Sequence, residues 1–233
     1  MDRGEADNMN ADRREMTDTC LIVSGGPTDR KFAAEFVKNR KYPYVIAVDA
    51  GLAVCEELGL VPDLAVGDFD TFGLERMEEL RKKEGGATDV HKPEKDETDT
   101  ELALLTAERK GFHAVHLLGA LGGRMDHALG NVQLLNQCLQ NDVHAEIYDE
   151  KNRIYLAGPG RTEFAREQAY GQYISFLPLT ESVEGITLTG FKYPLSNKTI
   201  HLGTSLCISN ELTGEKGSLE FQKGILICIE SHD

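Results

Sequence analysis

The first part of the chain alternates short apolar runs with amphipathic segments. The apolar runs predict buried strands at 20–23, 44–49, 64–66, 89–91 and 114–118. Between them, the spacing of apolar residues predicts helices at about 30–38, 51–58, 74–83, 98–109 and 126–139. Strands that alternate with helices form a mostly parallel sheet with helices on both faces. We therefore predict an α/β domain over residues 18–142.

After about residue 141 the helical periodicity stops and short strand-like runs follow. They are 145–148, 153–157, 173–178, 185–188, 205–209, 218–221 and 225–229. Glycine, proline, asparagine and serine separate these runs, a pattern typical of an antiparallel β-sandwich. We predict that this sandwich forms a second domain over residues 143–233. Residues 1–17 have almost no apolar pattern and are expected to form a flexible tail.

Composition limits the classes of partner. The 233 residues include 39 acidic and 25 basic side chains, a formal net charge of -14, and 40% of them are hydrophobic. The acidic balance argues against a nucleic-acid backbone or an anionic membrane as main partner, because both select basic surfaces. The five cysteines lack paired spacing, so we expect reduced, mostly buried thiols. Without a signal-peptide core or a membrane-spanning apolar run, we expect a cytoplasmic protein.

Two aspartates follow the third predicted strand. Asp68 and Asp70 stand two positions apart on extended backbone, so their side chains point to the same side. Carboxylates this close repel each other, and a divalent cation commonly holds them together. Oxygen ligands without histidine or cysteine favour Mg²⁺ over zinc. The same residues can equally form a turn, since glycine and aspartate are common turn residues.

A second acidic cluster surrounds the start of the helix predicted at 98–109. Its members are Asp96, Glu97, Asp99 and Glu101. Helix capping by Thr98 or Asp96 accounts for one or two residues of this segment. The others repel each other unless some face a cation. We therefore choose Asp99 as a third carboxylate for the site of the preceding aspartate pair.

A glycine-rich turn follows the strand predicted at 114–118. Residues 118–127 read Leu-Gly-Ala-Leu-Gly-Gly-Arg-Met-Asp-His and lead into a helix. Free amides at a helix start attract phosphate, and Arg124 adds a fork of donors suited to phosphate oxygens. Asp126 can instead be a helix cap, and His127 alone is better read as a surface residue. Gly25-Gly26, after the first strand, is a weaker form of the pattern and equally well a tight turn.

The sandwich region contains one further candidate. Ser209-Asn210-Glu211 ends a predicted strand and offers a hydroxyl, an amide and a carboxylate to a polar heterocycle. Taken alone, such a tripeptide is more often a turn.

Five motifs occur in order along the chain. They are Gly67-Asp68-Phe69-Asp70-Thr71, Pro93 to Asp99, Leu118-Gly119 with Gly123-Arg124-Met125-Asp126-His127, Gly190-Phe191-Lys192-Tyr193-Pro194-Leu195, and Ser209-Asn210-Glu211. In this combination the chain resembles thiamine pyrophosphokinase, and its bacterial branch more than the eukaryotic one, from about Cys20 to the C-terminus. The resemblance implies an α/β catalytic domain, a thiamine-binding β-sandwich, and a homodimer with active sites where the two kinds of domain meet across subunits. It also implies transfer of diphosphate from ATP to the thiamine hydroxyl, giving AMP.

The resemblance and the motifs together give the candidate site residues. The metal-binding acids, expected to hold Mg²⁺, are Asp68, Asp70 and Asp99. The catalytic set adds Arg124 and Asp96, and either Asp96 or Asp99 is a candidate proton acceptor. The candidate ATP-binding residues are Gly25, Gly26, Lys95, Thr98, Gly119, Gly123, Arg124, Asp126 and His127. The candidate thiamine-binding residues are Asp49, Ser209 and Asn210.

The chain departs from the eukaryotic relatives at two places. Lys95 stands where they have a glutamine, and Ile227 stands near the position of their thiamine-contacting tryptophan; this chain has no tryptophan. Two other functions stay under consideration. One is a Mg²⁺-dependent kinase or hydrolase acting on another nucleotide-activated small molecule. The other is a non-catalytic thiamine-binding module.

Overall fold

The computed structural model describes residues 16–38, 40–67, 87–90 and 97–233. The chain divides into two compact units, Met1–Glu150 and Lys151–Asp233. No helix in the described ranges is long and apolar enough to cross a membrane. All five cysteines are free and buried, which confirms the expectation from their spacing.

The first unit contains a parallel sheet and four described α-helices, preceded by a short 3-10 helix at Met16–Asp18. Its strands are β1 (Thr19–Val23), β2 (Tyr44–Val48), β3 (Leu64–Gly67), β4 (Ala87–Val90), β5 (Ala114–Leu118) and β6 (His144–Tyr148). Its helices are α1 (Arg30–Lys38), α2 (Gly51–Glu57), α3 (Asp99–Arg109) and α4 (Met125–Gln140). The strand order is β4-β3-β2-β1-β5-β6, and every neighbouring pair in that order is parallel.

Apolar burial explains why this sheet forms. All five residues of β1 are buried, so both faces of the sheet are covered at its centre. On α1, Ala33, Phe36 and Val37 lie on one face and are buried, as their helical spacing predicts. The α/β prediction is confirmed.

The connections change direction at β1. From β1 the chain continues to β2 on one side, whereas β5 pairs with β1 on the other side. In open α/β sheets, ligands bind beyond the carboxyl ends of the strands at such a switch point. The fold therefore directs attention to the residues that follow β1 and β5.

The second unit is an antiparallel sandwich. Its strands are β7 (Asn152–Ala157), β8 (Gly160–Ala165), β9 (Tyr173–Pro178), β10 (Ser182–Thr189), β11 (Leu195–His201), β12 (Lys216–Phe221) and β13 (Leu226–Ser231). One layer has the order β7-β13-β9 and the other β11-β10-β12-β8. A single hydrophobic cluster joins Phe176 and Cys228 of the first layer to Val183 and Leu219 of the second. The predicted β-sandwich is confirmed.

Three details differ from the sequence prediction. The segment 145–148 was assigned to the sandwich, but β6 pairs in parallel with β5, so the first unit extends beyond residue 142 to Glu150. No strand forms at 205–209, where Ile208 N–H donates to the carbonyl of Ser205 within a turn (3.2 Å). Strands β8 and β11 were missed because they are the two edges of their sheet and most of their side chains are exposed.

Two expected elements lie outside the described ranges. One is the helix predicted at 74–83, and the other is the part of the predicted tail before Met16.

Candidate active site

The turns after β1 and β5 interlock at the switch point. The N–H of Ser24 donates to the carbonyl of Leu118 (2.8 Å), and the N–H of Gly26 donates to that of Gly119 (3.0 Å). A Cβ on Gly26 would lie 2.4 Å from the carbonyl oxygen of Gly119, so position 26 has no room for a side chain. The amide of Gly26 is therefore used within the protein. Its structural role is close packing of the two turns.

The loop between β5 and α4 approaches the start of that helix. Gly122 and Gly123 are exposed and adopt φ values of 81° and 64°, which favour glycine. The side chain of Asn131 donates to the carbonyl of Ala120 (2.8 Å) and holds the loop against α4. The side chain of Arg124, the residue before Met125, does not cap α4, and within the first turn the N–H of His127 donates to Oδ1 of Asp126 (2.9 Å). This helix start has the backbone donors that phosphate groups bind.

Arg124 and Asp126 form a two-point ion pair at this helix start. Arg124 Nε lies 3.1 Å from Oδ1 of Asp126, and its Nη2 lies 2.5 Å from Oδ2. The donation from Arg124 lowers the pKa of the Asp126 carboxyl below its ordinary value, so Asp126 is ionised near neutrality. Asp126 is thus a partner that orients the guanidinium, whereas the N-cap position belongs to Arg124. Guanidinium has five N–H donors, and the remaining ones are available to an anion.

A cavity of about 460 Å³ lies beside the starts of α3 and α4. It is lined by Thr98, Glu101, Asp126, His127, Gly130, Asn131, Gln133, Leu134, Asn136 and Gln137. Its volume is in the range of small-molecule sites. Three of these residues were candidates from the sequence: Thr98, Asp126 and His127. The amide side chains of α4 were not among the candidates, although the spacing of three and four residues from Gln133 to Asn136 and Gln137 places these three along one helix face.

One amide of this cavity is incompletely bonded. The Oδ1 atom of Asn136 is buried and has no hydrogen-bond partner among the described residues. A buried acceptor without a partner is costly, and a ligand donor is one way to satisfy it.

The start of α3 places Asp99 near the end of β1. Oγ1 of Thr98 accepts from the N–H of Glu101 (3.2 Å), so Thr98 caps the helix as one of the two sequence alternatives predicts. The hydroxyls of Ser24 and Thr100 lie 3.3 Å apart and join α3 to the turn after β1. Asp99 is therefore at the carboxyl edge of the sheet.

The other candidates of this group lie outside the described ranges. They are Asp68, Asp70, Lys95 and Asp96. Within the ranges that the structure does describe, no group of three histidine, cysteine, aspartate or glutamate side chains gathers as a metal site. The end of β3 is described as far as Gly67, the residue that directly precedes Asp68.

Asp49 follows β2 in an unusual backbone conformation. Its φ is 49°, a region that few non-glycine residues occupy, and its N–H donates to the carbonyl of Val66 (3.0 Å). Strained backbone of this kind is concentrated at functional sites. The structure thus fixes the Asp49 carboxylate at the carboxyl ends of β2 and β3.

Ser209 and Asn210 lie in the second unit and differ in their surroundings. Ser209 is exposed with a φ of 55°, and its N–H donates to the buried hydroxyl of Ser175 (2.9 Å). Asn210 is only 1% exposed, and its side chain bonds to the backbone of Tyr193 and Glu211. The serine hydroxyl is therefore open to a ligand, whereas the asparagine amide is largely used by the protein.

Comparison with known families decides the identity. The sequence profile described as the catalytic domain of thiamin pyrophosphokinase matches residues 37–147, and the profile described as its vitamin B1 binding domain matches residues 161–226. The chain belongs to the thiamine pyrophosphokinase family. The membership expected from the five motifs is confirmed.

Several bacterial members of the thiamine pyrophosphokinase family align over nearly their whole length. The Bacillus subtilis thiamine pyrophosphokinase is 41% identical over 216 residues, which cover 92% of this chain and 99% of that protein. A crystal structure of thiamine pyrophosphokinase from Bacillus subtilis aligns with a TM-score of 0.81 at 37% identity, covering 92% of this chain and 99% of that one. The structure from Geobacillus thermodenitrificans gives a TM-score of 0.78 at 37% identity, with coverage of 92% and 98%.

Proposed function

We propose that this chain transfers the diphosphate group of ATP to the hydroxyl oxygen of thiamine, giving thiamine diphosphate and AMP. The observation that carries the proposal is the match of one chain to both a thiamin pyrophosphokinase catalytic domain and a vitamin B1 binding domain. The switch-point site in the first unit and the exposed Ser209 in the second fit these two assignments.

ATP binds beside the starts of α3 and α4 in this proposal. The cavity of about 460 Å³ offers the hydroxyl of Thr98 and a row of amides to the nucleotide. Arg124, already oriented by Asp126, donates to phosphate oxygens. The first turn of α4 adds backbone N–H groups other than that of His127, which donates to Asp126. Gly119 and Gly123 shape the loop, and Gly26 packs against it from the turn after β1, where Gly25 lies beside Ala50.

A divalent cation is part of this proposal, and Mg²⁺ is the ion that we assign. Asp68, Asp70 and Asp99 would hold it, because all three offer hard oxygen ligands. One observation supports the fit of these residues to a divalent cation. Asp99 is the first residue of α3 and lies at the edge of the sheet where β3 ends. The ion would neutralise charge on the phosphate oxygens during transfer.

The reaction is a substitution at the β-phosphorus of ATP. The thiamine hydroxyl oxygen forms a bond to the β-phosphorus, and the bond from that phosphorus to the oxygen of the α-phosphate breaks, so AMP leaves. Arg124 stabilises negative charge on the transferring group, and alignment of the two substrates supplies much of the acceleration. The hydroxyl proton passes to a carboxylate, for which Asp96 and Asp99 are the candidates.

Thiamine is a cation, which explains the acidic side chain of Asp49 among the residues assigned to it. The carboxylate of Asp49 is held at the sheet edge and attracts positive charge. Ser209 offers its exposed hydroxyl from the second unit. A cytoplasmic location is part of the proposal.

A homodimer is also proposed. The resemblance to the family implies it, and several exposed apolar side chains support it, since a second copy of the chain would cover them. They are Met125 and Leu129 on α4, and Leu202, Leu206 and Ile208 in the second unit. Sedimentation or light scattering of the purified protein measures the mass in solution, and a monomer at micromolar concentration would contradict the dimer.

Product analysis tests the proposed function. The purified chain is incubated with ATP, Mg²⁺ and thiamine, and the nucleotides are separated. We expect AMP and thiamine diphosphate in equal amounts, and no AMP without thiamine. ATP consumption that does not depend on thiamine would support the kinase or hydrolase alternative. Thiamine binding without turnover would support the binding module.

A further inference from the structure

Tyr193 is unusual among the aromatic residues of this chain. Its side chain is exposed (55%), whereas every other aromatic residue in the described ranges is buried or partly buried. It lies in the segment that joins β10 to β11, which belongs to the vitamin B1 binding match at 161–226. An exposed aromatic ring held on a rigid frame is a frequent ligand contact, because little conformational entropy is lost on binding.

A buried amide holds the backbone of Tyr193 at two points. The N–H of Tyr193 donates to Oδ1 of Asn210 (3.0 Å), and Nδ2 of Asn210 donates to the carbonyl of Tyr193 (3.0 Å). Oδ1 also accepts from the N–H of Glu211 (3.0 Å). Three of the four hydrogen bonds that an asparagine side chain can make are therefore used within the protein.

The surrounding backbone forms a short antiparallel clamp. Phe191 bridges to Leu212, and the N–H of Lys192 donates to the carbonyl of Glu211 (2.8 Å). The N–H of Thr213 donates to the carbonyl of Gly190 (2.9 Å). The segment that carries Tyr193 is thus fixed to the segment that directly follows Ser209.

Asn210 also fixes the conformation of the neighbouring serine. The backbone N–H of Asn210 donates to the carbonyl of Ile174 in β9 (3.2 Å), and the carbonyl of Asn210 accepts from the N–H of Ile174 (2.8 Å). The N–H of Ser209 is held by Ser175, the next residue of β9 (2.9 Å). Hydrogen bonds from the backbone of residues 209 and 210 to β9 therefore hold Ser209, whereas the side chain of Asn210 holds the backbone of Tyr193.

The charges around Tyr193 do not oppose a cationic ligand. The Lys192 ammonium lies 5.7 Å from the ring centroid, but Oε1 of Glu211 lies 2.6 Å from that ammonium and compensates its charge. An exposed aromatic face attracts a cation through its quadrupole, and thiamine is a cation. The chain has no tryptophan that could supply such a face.

We propose that Tyr193 supplies the aromatic contact to thiamine and that Asn210 is a positioning residue that acts on the vitamin through Tyr193. The inference rests on the proposed function. It gives Asn210 a different role from that of a direct thiamine ligand, because its amide is already committed to the backbone of Tyr193 and Glu211.

Steady-state kinetics of variants at Tyr193 test the contact. Y193L removes the ring from an exposed position, so the protein is expected to fold. We expect the KM for thiamine to rise about 3- to 30-fold, with kcat and the KM for ATP little changed. Y193F keeps the ring and is expected to raise the KM for thiamine less than Y193L does. Exposed Val61, which lies in the first unit, is the control, and V61A should leave all three parameters unchanged.

A double-mutant cycle tests the role of Asn210. N210A alone should raise the KM for thiamine, whereas N210A added to Y193L should raise it little further, because the ring that Asn210 positions is already absent. Thermal unfolding of each variant separates this effect from loss of the fold, and N210D replaces N210A if the alanine variant does not fold. Additive effects on the KM would overturn the positioning role and indicate direct contact between Asn210 and thiamine.

The wild-type assay separates this inference from the proposed function. If the wild-type chain forms no AMP and thiamine diphosphate, the proposed function fails. If the wild type is active and Y193L has an unchanged KM for thiamine, the proposed function stands and the Tyr193 contact is overturned.

Discussion

The carboxylate of Asp49 lies directly over the backbone of Gly67. A Cβ built on Gly67 would come 2.2 Å from Oδ1 of Asp49, and the φ of Gly67 is 146°, which side-chain-bearing residues rarely adopt. The two residues end neighbouring parallel strands, β2 and β3, whose pairing brings Val48 opposite Val66. The glycine at the end of β3 therefore makes room for the acid at the end of β2.

We predict that G67A impairs the use of thiamine by displacing Asp49. The added methyl group and the unfavourable φ both act at the sheet edge, and we expect kcat/KM for thiamine to fall about tenfold or more. The matched control is G158A, because a Cβ on Gly158 meets nothing within 4 Å and its φ lies outside the left-handed region. Equal kinetics for the two variants would contradict the role assigned to Asp49.

The next prediction concerns the ion pair at the start of α4. R124K removes the two-point geometry while keeping the charge, and we expect kcat/KM for ATP to fall about 10- to 100-fold. R161K is the control, since Arg161 pairs with Glu163 in the same exposed, two-residue spacing on β8. A fall of the same size in R161K would show that the effect is not specific to the nucleotide site.

The pH dependence of this pair has a definite sign. Donation from Arg124 lowers the pKa of Asp126, so the pair is intact above the ordinary carboxyl range and is lost only as the pH falls through the lowered value. A pH of 6 is about two units above the ordinary pKa of an aspartate carboxyl group. We therefore expect that the KM for ATP of the wild type shows no titration of Asp126 between about pH 6 and pH 8. A rise in that KM near pH 6 which disappears in D126N would oppose this assignment.

Much of this architecture was predictable because local patterns agree with the tertiary structure. The strand predicted at 20–23 is apolar throughout and is buried throughout, and the helix predicted at 30–38 has these bounds in the structure. Strands β8 and β11 were not predicted, since edge strands carry exposed polar side chains and lack the apolar alternation. The parallel pairing of β6 depends on contact with β5, which no local pattern encodes.

The sequence motifs predict which segments form the candidate site. They predict less well what each side chain does there. Thr98 as a cap and Arg124 as an anion donor follow from local sequence. The engagement of Asn210 with Tyr193 joins positions seventeen residues apart, and sequence spacing alone does not reveal it. The amide-lined cavity beside α4 likewise needs the packing of α3 to define it.

A metal titration tests Asp99. D99N removes one anionic ligand, so we expect the Mg²⁺ concentration for half-maximal activity to rise about tenfold or more, together with a lower kcat. D142N is the control: Asp142 is exposed beyond α4, and its φ of 57° is tolerated by asparagine. An unchanged Mg²⁺ requirement in D99N would remove Asp99 from the proposed metal site.

The buried cysteines give a prediction on thiol reactivity. Burial raises the pKa of Cys138 to about 11 and that of Cys55 to about 12, and it also raises the pKa values of Cys20, Cys207 and Cys228. Thiolate is therefore scarce in the native protein at pH 8, and a disulfide reagent should label the thiols slowly until denaturant is added. Rapid labelling of the native protein would contradict this burial.

The same shifts affect stability in alkali. The pKa values of the buried thiols in the native protein lie above the ordinary thiol value of 9.0. The contribution of these neutral thiols to the free energy of unfolding is therefore complete below pH 9 and is lost as the pH rises toward 11. Denaturant unfolding at a series of pH values should show stability falling over this interval. The interval from about pH 8 to about pH 11 includes the ordinary thiol pKa and the raised pKa of Cys138. A free energy of unfolding that stays constant over this interval would oppose the prediction.

The central claim is that the chain transfers a diphosphate group as a unit, and the fate of the β-phosphorus tests it most directly. ATP labelled at the β-phosphorus is incubated with the protein, Mg²⁺ and thiamine, and the products are separated. We predict that the label appears in thiamine diphosphate, in equal amount to the AMP formed. Label retained in ADP, with thiamine monophosphate as the other product, would contradict the account.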